Sequence, residues 1–153
     1  MSAPSSAPDA AGPVPLLATR LGLAGLLPFV LGAALVWIVN EEAHPYVVDA
    51  LAGYAALIAS FLGGLHWGLA MRLPEGPLRV ARLRWAVLPS LIAWIGLTMP
   101  AYAGLVVLGG LLIACYLVDR RSYPALGLAP WLTLRFRLST VAALSCFLAA
   151  AGS

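Results

Sequence analysis

In this 153-residue chain, His66 is the only Asp, Glu, Lys, Arg or His inside the second of its long apolar runs. The run covers 50–71, between Asp49 and Arg72. If it crosses a membrane, the imidazole lies roughly 8 Å from the Arg72 boundary at 1.5 Å per helical residue. An ionisable group at such a depth is a functional candidate by default. Three chemistries are open to it. A neutral ring can hydrogen-bond a serine, a threonine or a backbone carbonyl on a neighbouring helix. A titrating ring in a polar cleft, with Ser60 nearby, suits a proton-linked carrier, but that needs a carboxylate partner and no acid falls within the predicted spans. A haem or metal ligand needs a second donor, and the other histidine, His44, falls at the opposite boundary.

Other polar groups offer less. Asp119 is followed directly by Arg120 and Arg121. It either pairs with them at the boundary, a contact worth ~0–1 kcal/mol in solvent, or holds an arginine from another connection and fixes helix register. Glu41, Glu42, His44 and Asp49 form an acidic segment that reads as a solvated loop rather than a cation site. No nucleophile–base–acid set, phosphate-cradling glycine loop or metal-ligand pair on one helix face is present. Neither catalysis nor a cofactor is therefore expected.

The elements that must hold these groups follow from composition. Hydrophobic residues make up 62% of the chain and charged residues 10%, against ~25% charged in soluble domains. So few charges cannot cover the surface of a soluble enzyme of this size. The net charge of +3 comes from nine arginines and six acids. It is too small and too scattered for nucleic-acid binding.

Crossing the hydrocarbon core takes ~20 apolar residues as a helix. The runs 21–39, 50–71 and 138–153 meet or approach this length, and 85–118 is too long for one span. Pro100 divides it, since proline lacks an amide donor and clashes with the preceding turn. Pro77 and Pro130 can open helices whose first turns carry arginines that reach the head groups. The expected architecture is thus all-α and polytopic, with a disordered tail over 1–19 and one membrane domain over 20–153. Its five spans are placed at 21–39, 50–71, 78–99, 103–118 and 131–151. All nine arginines then fall on one side and none on the other, which predicts the N-terminus inside and the C-terminus outside. The basic residue at position 20 and the lack of a small-residue cleavage site argue against a signal peptide. Cys115 and Cys146, at different depths, read as apolar packing residues and not a disulfide.

The second span separates by size. Leu57, Phe61 and Leu65 lie with other bulky residues on one side. Ala52, Ala56, Ser60, Gly64 and Gly68 recur every four residues on the other, joined by Gly63. Close backbone approach is what pairs helices in lipid, so the small face is expected to pack and the bulky face to meet lipid. Gly25 and Gly32 give the first helix a matching stripe. Pro28 and Pro89 are expected to kink their helices.

Several of these segments resemble the transmembrane protein 69 family, also called domain of unknown function 3429. They are the run Leu21-Gly22-Leu23-Ala24-Gly25-Leu26-Leu27-Pro28-Phe29, and Tyr54 through Ser60-Phe61-Leu62-Gly63-Gly64-Leu65-His66-Trp67-Gly68. Pro89-Ser90 followed by Trp94, and Tyr116 with Asp119, are weaker matches. The resemblance covers about 17–150. It implies a small polytopic protein of bacterial or mitochondrial inner membranes with no established activity. The expected function is that of a structural, accessory or assembly protein working through helix–helix contacts with a membrane partner or a second copy. A small solute or proton-linked permease around His66 is the alternative, and a haem- or quinone-binding protein is a third.

Overall fold

The computed structural model describes residues 12–153. Their regular elements are α1 (Leu16–Ala24), α2 (Leu27–Val36), α3 (His44–Met71), α4 (Pro77–Thr98), α5 (Ala101–Ser122) and α6 (Leu132–Gly152), with 3-10 turns at Pro124–Leu126 and Ala129–Trp131 before α6. The described residues contain no strand. Five segments are long and apolar enough to cross a membrane, with α1 and α2 together forming the first. The all-α, five-span expectation is met.

Prolines set several boundaries. Pro28 has no N–H to give the carbonyl of Ala24, which is where α1 stops, so the first span is broken into two short helices. Pro77 opens α4 directly after Gly76, whose φ of 156° is a conformation that only glycine adopts without strain. Pro100 follows the end of α4 and begins a tight hairpin into α5. Pro89, in contrast, lies inside α4 without ending it.

Several boundaries differ from expectation. α1 begins at Leu16, so residues 16–19 of the expected disordered tail are helical and Arg20 lies within the helix. The rest of that tail up to residue 11 lies outside the described residues. α3 begins at His44 and takes Asp49 into the helix, so the acidic segment is only partly a loop. His44 also reaches across the bundle, its Nε2 lying 2.9 Å from the carbonyl oxygen of Gly152.

α3 is the centre of the bundle and packs against α2, α4, α5 and α6. Its buried face carries Ala52, Ala55, Ala56, Ala59, Gly63, His66 and Ala70. Gly63 sets the approach to α4, because a Cβ there would collide with the carbonyl oxygen of Ala86 and crowd Pro89. Gly64 and Gly68, expected on the packing face, are exposed with nothing within 4 Å of an added Cβ. The reason is geometric. A step of four residues advances about 400°, so an every-fourth stripe drifts about 40° per step and about 160° from Ala52 to Gly68. Ala52 and Ala56 are inside, Ser60 is half-buried, and the two glycines have rotated out to the surface.

The bulky face is corrected too. Leu57, Phe61 and Leu65 do face outward, but Leu51 and Leu62 are buried. Gly25 and Gly32 accept bulky residues of α3, not its small stripe. Leu51 fills the notch at Gly32, and the Tyr54 hydroxyl donates to the Gly25 carbonyl at 2.8 Å.

Candidate functional site

Two helices carry polar residues in register with apolar ones. On α5, Leu105, Leu108, Leu112, Cys115 and Asp119 recur at alternating steps of three and four and are all buried. On α6, Arg135, Ser139, Ala142, Cys146 and Ala149 repeat the pattern. This spacing keeps one face of a helix turned to its neighbours. The carboxylate and the guanidinium are therefore directed into the bundle at its arginine-bearing end, while Arg120 and Arg121 are exposed.

The two groups meet His66 there. Its Nε2 lies 2.8 Å from Oδ1 of Asp119. Arg135 Nε donates to Oδ2 of the same carboxylate at 2.8 Å. Arg135 Nη2 is 2.6 Å from Oδ2, within ion-pair distance but without a hydrogen bond's alignment. On the far side of the ring, Arg82 Nη1 of α4 lies 3.5 Å from His66 Nδ1, a long contact. With Nε2 donating to Asp119, Nδ1 is left as the acceptor facing Arg82, which suits a neutral ring protonated on Nε2. Tyr123 packs near the imidazole with ring centroids 6.4 Å apart. Its phenol is pushed above its ordinary range by burial and, next, by the Asp119 carboxylate.

His66, Asp119 and Arg135 are 1%, 2% and 8% exposed. In such surroundings an isolated charge is costly, and a pair is tolerated only when its remaining sites are hydrogen-bonded. Asp119 meets this condition, with each oxygen engaged by a different helix. The cluster thus joins α3, α5 and α6 and touches α4.

The expected site residues separate clearly. His66 and Asp119 come together, but Ser60 lies about 120° round the helix from His66 and is not one of its partners. The expectation that no acid sits within a span is overturned, since α5 extends through Ser122 and carries Asp119 inside. Asp119 holds an arginine from another element rather than Arg120 or Arg121. Arg82 and Arg135, expected among the arginines that reach the head groups, turn inward to His66 and Asp119 instead, and Tyr123 has no signal in the sequence. Arg135 was legible in principle from its spacing with Ser139, Ala142 and Cys146.

Among the described residues, no three His, Cys, Asp or Glu side chains cluster so as to hold a metal ion. Cys115 and Cys146 are buried free thiols. Trp94 is 65% exposed on the outer surface of α4.

Transmembrane protein 69 of Xenopus tropicalis is 42% identical over 88 residues, covering 54% of this chain and 33% of that protein. The chain therefore matches only about a third of the relative's length. No solved structure matches the chain. The family described as protein of unknown function (DUF3429) matches residues 14–151, almost the whole described bundle, and the chain belongs to that family.

Proposed function

We propose that this integral membrane protein is an accessory or assembly subunit that works by docking a partner's transmembrane helix, not by catalysis. The observation that carries this reading is the exposed pair Gly64 and Gly68. They stand four residues apart on the outer face of α3, with nothing within 4 Å of an added Cβ. In lipid, such a small-xxx-small notch lets a second helix approach closely enough for backbone contact and dispersion to hold it. The ionisable groups inside, by comparison, are engaged with one another. We place the protein in a bacterial inner membrane, or the mitochondrial inner membrane if the source is eukaryotic. The arginine-bearing end and the N-terminus face inward by the positive-inside bias.

Purification of the full chain in mild detergent tests the reading. A stoichiometric membrane partner is expected with the wild type and is expected to be lost in Gly64→Leu, whose own unfolding temperature stays unchanged. A wild-type protein that runs as a lone monomer in native mass spectrometry would overturn it.

A second reading has a specific observation behind it. Asp119 supplies the buried carboxylate that a proton-linked permease around His66 requires, at 2.8 Å from the ring. That reading predicts pH-dependent flux in proteoliposomes. Flux unaffected by His66→Ala would remove the residue from the mechanism.

A further inference from the structure

The loosely packed first span leaves space beside the central helix. None of the residues of α1 is buried, and between α1, α3 and α6 lies a cavity of about 630 Å³. That volume falls in the range of roughly 300–1,000 Å³ found for small-molecule sites. Its wall runs from Arg72 to Ile58 along α3 and from Arg135 to Ala142 along α6. The first of these distances is about 21 Å at 1.5 Å per residue, comparable to an extended acyl chain. The deep part is apolar, lined by Phe29, Ile58, Leu62 and Ala142, whereas Arg72, Tyr123, Arg135 and Ser139 lie toward the arginine-bearing end.

Ser139 is the informative member of that set. A serine in an apolar helix ordinarily satisfies its own hydroxyl on the carbonyl four residues earlier. Ser145 of α6 does this with Val141 at 2.9 Å, and Ser122 of α5 with Val118 at 2.7 Å. Ser139 does not. It is 4% exposed, and its Oγ is buried without a partner among the described residues. Arg135 on the same wall is ion-paired with Asp119, its Nη2 lying 2.6 Å from Oδ2. A buried donor left unmade is costly, so the Ser139 hydroxyl beside an open cavity calls for a ligand that accepts. The Asp119 carboxylate already offsets Arg135, which leaves the Arg72 guanidinium, without an ion-pair partner among the described residues, as the excess charge at the mouth.

From a buried donor without an acceptor, an excess positive charge at one end and an apolar slot behind them, we propose that this cavity holds an anionic phospholipid. Its phosphate is met by Arg72, Arg135 and Ser139, and one acyl chain lies along Leu62 and Ala142 toward Phe29. Gly68 of the docking notch also lines this cavity, so the two sites adjoin; the lipid site rests on Ser139 and Arg72 and not on the docking reading.

The test uses the full chain, delipidated in detergent and titrated with phosphatidylglycerol, phosphatidylcholine or ubiquinone, with native mass spectrometry and thermal unfolding as readouts. Phosphatidylglycerol is expected to bind one to one and to raise the unfolding temperature, and phosphatidylcholine to do neither. Ser139→Ala and Arg72→Gln are each expected to weaken phosphatidylglycerol binding about tenfold, the cost of a charged hydrogen bond. Neither is expected to lower the unfolding temperature of the lipid-free protein, since Arg72 is exposed and Ser139→Ala removes a hydroxyl with no partner to lose. Ala18→Trp, which fills the cavity from α1, is expected to abolish retention. Equal retention of phosphatidylcholine, retention of ubiquinone alone, or wild-type affinity in Ser139→Ala and Arg72→Gln would each overturn the proposal.

Discussion

His66 Nε2 and Asp119 Oδ1 are 2.8 Å apart although 53 residues separate them in sequence. The contact ties the central helix α3 to α5 at the end of the bundle where every arginine of the described residues lies. It also orders the rest of the cluster. With one carboxylate oxygen on the imidazole, the other is free for Arg135 of α6, and the ring's second nitrogen is turned to Arg82 of α4. In lipid the hydrophobic effect contributes little between helices, so a polar cluster hydrogen-bonded across three helices can set register where apolar packing alone is permissive.

Removing the carboxylate leaves the buried Arg135 charge without its counter-ion. Asp119→Leu is therefore expected to destabilise the protein by about 3–5 kcal/mol. The double variant Asp119→Leu with Arg135→Met removes both charges and is expected to recover most of that loss. Arg120→Ala and Arg121→Ala, outside the cluster, are expected to stay within about 0.5 kcal/mol of wild type. Denaturation in detergent followed by circular dichroism checks all four. A double variant as unstable as the single one would show that the pair is not the source of the effect.

The number of spans was legible because apolar length and proline positions are local properties. Pro100 and Pro77 mark the α4 boundaries correctly, and Pro28 marks the break in the first span. Which face of α3 meets which neighbour was not legible. Small residues every four positions look like one stripe on paper, but the 3.6-residue turn carries that stripe from the core at Ala52 to the surface at Gly68. The site was half legible. His66 stands out as the lone ionisable group in its run, whereas Arg135 looks like any boundary arginine reaching for head groups. Only the shared spacing of Arg135 with Ser139, Ala142 and Cys146 tells them apart.

At the opposite end, His44 Nε2 is 2.9 Å from the Gly152 carbonyl. The last carbonyls of a helix have no partner within it, and a donor from elsewhere holds the final turn closed. His44→Ala is expected to cost about 0.5–1.5 kcal/mol. The loss is expected to appear as faster amide exchange in the last turn of α6, with α4 and α5 unaffected.

Tyr123 gives the protein an alkaline limit. Its phenol holds its proton above the ordinary value of 10.0, through burial first and the Asp119 carboxylate second. The unfolded chain therefore loses this proton before the folded one does. The contribution is complete below pH 10 and declines as pH rises through the folded-state value, because the native state binds more protons across that window. Tyr123→Phe is expected to flatten the fall in unfolding temperature above pH 10 while leaving the curve near neutrality almost unchanged. An identical alkaline slope in the variant would assign the fall to other groups.

Adjacent glycines of α3 provide the sharpest test of the packing. A Cβ on Gly63 would collide with a backbone carbonyl, that of Ala86, which cannot swing aside as a side chain can. Even Gly63→Ala must push α3 and α4 apart, with an expected cost of about 1–3 kcal/mol or more. Gly64 is the next residue, about 100° further round the helix, and an added side chain there meets open space. Gly64→Leu is expected to leave the stability of the isolated bundle within about 0.5 kcal/mol of wild type, because only a docking partner would feel it. Thermal unfolding of the two purified variants decides the matter. If Gly64→Leu proves the more damaging, α3 is rotated from the placement that puts His66 against Asp119, and the polar cluster would have to be reassigned with it.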